Sequence, residues 1–315
     1  MRCVSLTWMI FAAACASRSP TETAMQALME ATPAAQPGPA VALPCDWPVG
    51  TTVHYRYERR RLDSRTPGLE DVASVSPATL IVLGKDRLSL DIGETELTGP
   101  AHLVDAARAM LSGFDLSPME LVVKDGQLVD VANREALVTE ILTMVQAMLP
   151  PETPPEAFAA VKATYEDPAS ATQLLLKEPN MLLGAICAVM GDGQRVETSV
   201  ETPGLVGGPS LRSITTIDAE IRLDEGTATY TFSTHTDPES LSAAIEHYIK
   251  TVVPAAGEKL PPLPLPNSQS ALVAVHSLAD GLPISVNGTR TIVVGDESYS
   301  VRREERWSWT RVPTP

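Results

Sequence analysis

The sequence predicts an α+β fold built on an antiparallel sheet. Stretches in which apolar and polar residues alternate occur in groups, helical stretches occur in groups between them, and Asp-Gly or Asn-Gly pairs punctuate the apolar runs. This grouping disfavours a doubly wound parallel sheet, in which strands and helices alternate along the chain. Because an open sheet of roughly ten strands tends to curl, we expect a curled, open half-barrel with helices inserted between its hairpins.

The first strands are predicted from alternation and turn chemistry. Residues 53–57 alternate apolar and polar side chains, as expected of a strand with one buried face. Residues 79–83 and 87–92 flank a Gly-Lys-Asp turn, and residues 119–123 and 128–131 flank an Asp-Gly turn. Each pair is therefore predicted to form a hairpin.

The middle of the chain is predicted to be mostly helical. Apolar residues recur at helical spacing over 101–111, and a longer apolar stripe follows Asn133, which can cap the helix, and ends at Pro150-Pro151. A further helical block is predicted over 155–190, with breaks at Pro168 and Pro179.

The second half is predicted to return to strands. After a strand over 195–201, alternation over 217–223 and 228–232 predicts a long hairpin, and a helix is expected to begin at Asp237-Pro238. The remainder, 271–312, is predicted to be an antiparallel meander. Its turns are expected at Asp280-Gly281, Asn287-Gly288 and Gly295-Asp296.

The N-terminus is typical of an export signal. Arg2 precedes an apolar run over 3–14 that ends in small residues, and the run is too short to span a bilayer. We therefore predict a signal peptide over 1–16, a disordered Pro/Ala/Thr-rich linker over 17–44, and a single α+β domain over 45–315. The expected location is the periplasm, the outer membrane or the medium.

The C-terminal end of the predicted signal peptide has two interpretations. Ala12-Ala13-Ala14-Cys15 resembles a bacterial lipobox, although Ala12 stands where the pattern usually has Leu. The resemblance implies that Cys15 carries a lipid anchor, which would be the protein's only attachment to a membrane, and Ala16 then implies sorting to the outer membrane. The alternative is cleavage after Ala16, which discards Cys15.

Cys45 and Cys187 remain for the folded domain. An even pair suits an oxidising compartment, so the two are candidates for a disulfide, which in the chain-entropy model would contribute about 4 to 5 kcal/mol. The alternative is that Cys187, which lies in an apolar run, is a buried free thiol. Neither belongs to a C-x-x-C motif, so redox catalysis and structural zinc are not predicted.

Composition and motifs exclude several classes of function. The net charge of -15 disfavours nucleic acid as a partner, and the aromatic content of 4% disfavours a sugar-binding surface. The sequence contains no nucleophile elbow, nucleotide-binding loop or metal-ligand spacing. Glu304-Glu305 cannot form an acid-base pair, since neighbours on a strand face opposite sides. We therefore expect no catalytic residue, no metal, no cofactor and no enzyme; a hydrolase is the least favoured class.

Two stretches combine charged and aromatic residues, 55–61 and 302–309. If the first and last strands pair, Arg and Glu would face each other across the ladder. One interpretation is an ion-paired sheet surface. The other is a patch for an anionic headgroup or peptide, with Arg59 and Arg303 as its candidate residues.

The block 174–190 is apolar nearly all round a helical wheel. Such a helix either belongs to the core or lines a cavity for an acyl chain. The candidate cavity residues are Leu182, Leu183, Ile186 and Met190.

The leading functional hypothesis is an exported, non-enzymatic bacterial envelope protein that binds an apolar small molecule or lipid in its curled sheet. This architecture resembles that of periplasmic lipid-carrier lipoproteins, with no residue motif in common. The alternative is an envelope interaction or assembly protein that uses an exposed sheet edge and binds another envelope protein.

Overall fold

A computed structural model describes most of the chain. The described residues are 40–63, 73–101, 104, 116–148, 155–202, 208–252, 266–295 and 300–313. The predicted signal peptide, Cys15 and nearly all of the predicted linker lie outside them, as does most of the helix predicted over 101–111.

The described strands and helices confirm the α+β class with an antiparallel sheet. The strands are β1 Ala40–Ala42, β2 Thr52–Asp63, β3 Ala73–Gly84, β4 Arg87–Ile92, β5 Glu96–Thr98, β6 Met119–Lys124, β7 Gln127–Val131, β8 Val189–Gly191, β9 Arg195–Thr202, β10 Leu211–Arg222, β11 Thr227–Thr236, β12 Asn267–Ser277, β13 Pro283–Gly295 and β14 Ser300–Val312. The helices are α1 Arg134–Met148, α2 Pro155–Glu166, α3 Pro168–Leu183 and α4 Pro238–Val252.

Twelve of these strands form one antiparallel sheet. Its order is β7-β6-β4-β3-β2-β14-β13-β12-β11-β10-β9, with β5 paired to β3 off this path. The hairpins β3–β4, β6–β7 and β10–β11 follow the predicted pairings, because alternation and turn residues are local signals. The first long strand, β2, pairs with the last, β14, so the two halves of the chain meet in the middle of the sheet.

One face of the sheet carries the main core. Alternate residues of each strand, such as Tyr55 and Tyr57 on β2 and Trp309 on β14, are buried on this inner face. Helix α3 packs against it through Leu176 and Leu182, which belong to the same apolar cluster. Burying large side chains of this kind stabilises the fold by about 1.5 to 3 kcal/mol each.

The segment after α3 links the two halves of the domain. Strand β8 pairs with β1, Leu43 is 3% exposed, and the Leu43 N–H donates to Ala188 O at 2.9 Å. The structure thus places Ala40 to Leu43, which the sequence assigned to the linker, in the folded domain, because an apolar residue and a strand pairing hold them there. Cys45 and Cys187 are joined by a disulfide, with their Cα atoms 5.3 Å apart.

Two expectations about the helices differ from the structure. Pro179 lies inside α3 instead of ending it. It is buried, as are Leu176 and Leu182 of the same helix, and their packing outweighs the cost of about 3 kcal/mol for an internal proline. The helical block does not reach residue 190, since α3 ends at Leu183 and residues 189–191 form β8.

Asn287-Gly288 lies inside β13 and is not a turn. Gly288 is instead paired with Trp307, and a Cβ at Gly288 would overlap the indole ring. A glycine after an asparagine is typical of a turn in the sequence. Here the glycine, because it has no side chain, lets an aromatic ring lie close to the backbone.

Candidate functional site

The candidate site is a partly enclosed cleft between α3 and the inner face of the sheet. Strand alternation places Tyr57 and Arg59 of β2 and Glu305 and Trp307 of β14 on this face. Helix α3 forms the opposite wall. The side chains lining the cleft are Tyr57, Arg59, Lys177, Glu178, Met181, Phe232, Thr234, Ser270, Ala271, Leu272, Arg290, Glu305 and Trp307.

The lining divides into an apolar part and a charged part. Met181, Phe232 and Leu272 continue from the core, while Arg59, Lys177 and Arg290 face two carboxylates, those of Glu178 and Glu305. Three cations against two carboxylates leave a formal charge of +1 on the lining, in a chain whose net charge is -15. The cleft is therefore a local cationic region on an acidic protein.

An ion-pair cluster occupies the charged part. Arg59 Nη1 donates to Glu178 Oε1 at 3.2 Å and Nη2 donates to Glu305 Oε1 at 3.4 Å. Arg303 donates to the same carboxylate oxygen of Glu305. The Tyr57 hydroxyl donates to Glu178 Oε1 at 3.3 Å, so a phenol and a guanidinium converge on one oxygen of Glu178.

Burial and neighbouring charges set the protonation of this cluster. Burial would raise the pKa of Glu305, but the charges of Arg59, Arg303 and Lys177 outweigh it and lower the pKa from 4.5 to about 2. Burial, together with the carboxylate of Glu178, raises the pKa of Tyr57 well above its usual range. Near neutral pH Glu305 is therefore ionised and Tyr57 remains a hydrogen-bond donor.

Three aromatic side chains form the floor of the cleft and the core beneath it. Tyr57 stacks on Trp309 with ring centroids 4.0 Å apart and an interplanar angle of 16°. Trp307 lies over Gly288, and its Nε1 is buried without a hydrogen-bond partner among the described residues.

The two candidate residues of the predicted anion patch do not form an exposed patch in the structure. Arg303 is 4% exposed and is paired with Glu305, and Arg59 is held between Glu178 and Glu305. Arg303 is thus inaccessible to a headgroup, because it is buried on the inner face of the sheet. Of the two candidates, only Arg59 lines the cleft.

The candidate cavity residues Leu182, Leu183, Ile186 and Met190 are each at most 1% exposed and belong to the main core cluster. None of them lines the cleft. The four residues were grouped because the block 174–190 was treated as one helix. In the structure α3 ends at Leu183, Ile186 follows the helix and Met190 lies on β8.

Several residues of the cleft were missed by the sequence reasoning. Lys177 and Glu178 are neighbouring charged residues of α3 that no motif singles out. Only the position of the helix over the sheet places them beside Arg59. Phe232 was predicted only as a buried strand residue, and Trp307 lies in the charged and aromatic stretch 302–309 but was not among the candidate residues of the patch. A signal was available in Gly288, since a glycine within an alternating strand marks a close approach.

A buried histidine, His276, lies outside the cleft. His276 is fully buried, its Nδ1 lies 3.0 Å from Gly281 O, and its ring is edge-on to Tyr230 at 5.6 Å. Burial lowers the pKa of His276 to about 4, and burial raises the pKa of Tyr230 to about 12, so both are neutral near pH 7. Among the described residues no group of three or more His, Cys, Asp or Glu side chains could hold a metal ion.

The fold and the cleft together define an α+β domain in which a large antiparallel sheet presents a partly apolar, partly cationic cleft under a helix. No described helix is long and apolar enough to cross a membrane. No protein-family model matches the chain, and no curated protein sequence matches it. Among solved structures, the chain is weakly similar to one described as "Lipid-protein interactions in lipovitellin", with a TM-score of 0.46 and 11% identity. That match covers 85% of this chain and 26% of the other.

Proposed function

We propose that this chain is an exported, non-enzymatic protein that binds an anionic amphiphile in the cleft between α3 and the sheet. The observation that carries the proposal is the division of the cleft into an apolar part around Met181, Phe232 and Leu272 and a cationic part around Arg59 and Arg290. A molecule with an apolar chain and a negatively charged end matches both parts.

The contacts of the segment after α3 support a curled sheet around this cleft. A Cβ at Gly126, in the β6–β7 turn, would lie 2.7 Å from the Cβ of Cys187, while the Gly193 N–H donates to Ala219 O of β10 at 2.9 Å. In a flat sheet β6 and β10 would lie about 38 Å apart. The chain from Cys187 to Gly193 reaches at most about 21 Å. Curling brings the two parts of the sheet within reach and makes the inner face concave.

The protonation of the cluster supports binding over catalysis. Glu305 is ionised and paired with two guanidinium groups, with a pKa of about 2, so it is a poor proton acceptor near neutral pH. Burial and the carboxylate of Glu178 raise the pKa of the Tyr57 phenol, so it stays protonated near neutral pH and donates its hydrogen bond to Glu178. Glu305 is therefore suited to orienting the guanidinium groups, and Tyr57 to donating a hydrogen bond to an anion.

Export is supported by the disulfide between Cys45 and Cys187, a bond that persists in oxidising compartments. The signal peptide predicted over 1–16 is consistent with export, and two forms of the mature chain are expected: one with a lipid anchor at Cys15, or one produced by cleavage after Ala16. Intact mass spectrometry of the protein recovered from a bacterial envelope distinguishes these: a mature chain beginning at Cys15 with added acyl mass supports the anchor, and an intact N-terminal Met1 would contradict export.

Ligand binding is tested with a dansyl-labelled fatty acid and a pair of matched variants. Ser270 lines the cleft, whereas Ser233 is exposed on the opposite face of the neighbouring strand. We expect wild type and Ser233→Phe to enhance the dansyl fluorescence and Ser270→Phe to lose most of that enhancement, because the phenyl ring fills the cleft. Equal enhancement by all three would place the ligand elsewhere and refute the proposal.

The alternative of an interaction protein using a sheet edge is disfavoured at β9. This edge strand exposes Arg195, Glu197 and Glu201. Charged side chains on an edge discourage addition of another strand.

A further inference from the structure

The converging donors in the cleft point to the chemistry of the ligand's polar end. We infer that this end is a single carboxylate, bound by Tyr57 and Arg59, and that Glu178 of α3 competes with it for the same position. The inference rests on the proposed function and specifies both the headgroup and an internal competitor.

Glu178 already shows how a carboxylate is held at this position. Its Oε1 accepts from the Tyr57 hydroxyl at 3.3 Å and from Arg59 Nη1 at 3.2 Å. Tyr57 is 6% exposed and its aromatic ring is fixed by stacking on Trp309. Two donors that meet at one oxygen, one of them a buried phenol, form a site for a carboxylate oxygen.

The two carboxylates of the cluster differ in how firmly they are held. The side chain of Glu305 is 7% exposed and accepts from two guanidinium groups, so it belongs to the framework of the sheet. The side chain of Glu178 is 31% exposed and comes from the helix on the opposite wall. Glu178 can therefore turn toward solvent while Glu305 keeps Arg59 oriented.

The position that Tyr57 and Arg59 define is already filled by a carboxylate, that of Glu178, and this favours a carboxylate as the ligand's polar end. The apolar residues Met181 and Phe232 lie next to the donors in the same cleft, where they would contact the carbon chain that follows the carboxylate. The favoured class is a fatty acid, whose carboxylate and the carbon atoms next to it would lie in the cleft.

The experiment compares oleate with oleyl alcohol, which has the same chain and no carboxylate. Both are measured by displacement of the dansyl-labelled fatty acid from wild type, Glu178→Gln and Tyr57→Phe. The control variant is Glu166→Gln, which removes the same negative charge from a side chain that is 57% exposed and outside the cleft.

Glu178→Gln is expected to tighten oleate on the order of tenfold, the factor for losing a charge-assisted competitor, and to leave oleyl alcohol unchanged. Tyr57→Phe is expected to weaken oleate alone, and Glu166→Gln to change neither. Urea midpoints of the variants within error of wild type exclude altered folding as the cause.

The outcomes separate this inference from the proposed function. If oleate and oleyl alcohol bind wild type with equal affinity and Glu178→Gln changes neither, the cleft binds amphiphiles but the carboxylate inference is wrong. If neither compound displaces the dansyl probe from wild type, the proposed function and the inference both fail.

Discussion

Replacing Glu305 by glutamine is expected to destabilise the fold strongly and in a pH-dependent way. Glu305 is 6% exposed and faces Arg303, which is 4% exposed, so the variant leaves a buried guanidinium without its counter-charge. Breaking a buried pair in this way costs about 3 to 5 kcal/mol. The lowered pKa of Glu305 leads to a similar value, because a shift from 4.5 to about 2 corresponds to about 3 kcal/mol of folding free energy.

The sign of the pH dependence follows from the lowered pKa of Glu305. Above pH 4.5 the carboxyl is ionised in the folded and the unfolded chain, and its full contribution to stability is present. As the pH falls from 4.5 toward about 2, the unfolded chain takes up a proton that the folded chain does not, and the contribution is lost. The difference between wild type and Glu305→Gln should therefore shrink by more than half at about pH 3.

Urea unfolding followed by far-UV circular dichroism near pH 7 and pH 3 measures this difference. The control is Glu225→Gln, which breaks an ion pair with Arg222 whose two side chains are 50% and 53% exposed and which is worth at most about 1 kcal/mol. A loss for Glu305→Gln as small as that of the control, or one that does not change with pH, would refute the buried-cluster reasoning.

Three further predictions concern the rest of the fold. Replacing Cys45 and Cys187 by alanine should lower the free energy of unfolding by about 5 kcal/mol from loop entropy, and reductant should lower the urea midpoint of wild type but not of the variant. Gly288→Ala should cost at least about 2 kcal/mol in urea unfolding, because its Cβ would overlap an indole ring. Gly84→Ala, whose Cβ meets nothing closer than 3.9 Å, should be nearly neutral. His276→Gln should reduce the loss of stability between pH 6.5 and about 4, where only the unfolded wild type gains the imidazole proton; an unchanged pH profile would contradict this assignment.

Part of the candidate site could be anticipated from the sequence. The charged and aromatic stretches 55–61 and 302–309 were predicted to meet if their strands paired, and β2 and β14 do pair. Alternation also separates Glu304 from Glu305. Glu304 accepts from Arg302 and Arg306, which lie on its own side of the strand, and Glu305 faces the cleft. Strand periodicity is a property of a few consecutive residues, so it can be recognised without the fold.

The rest of the site depends on contacts between distant parts of the chain. Glu178 and Arg59 are 119 residues apart and meet only because α3 lies across the inner face of the sheet. The sequence left Arg303 either in an ion-paired sheet surface or in an anion-binding patch, and only the burial of β14 places it inside the sheet, paired with Glu305. Where a helix docks is decided by the sum of many apolar contacts, which no local pattern specifies.

By itself the sequence determined the class of the fold, three of its hairpins and the cap of α4 at Asp237, whose carboxylate accepts from the Ser240 N–H at 3.0 Å. These features follow from alternation, turn chemistry and capping, which act over a few residues. The tertiary structure alone decided that α3 continues through Pro179, that Gly288 makes room for Trp307, and that a cationic cleft forms beneath the helix. Each of these features depends on packing between residues that are far apart in the chain, and this packing can outweigh a local preference.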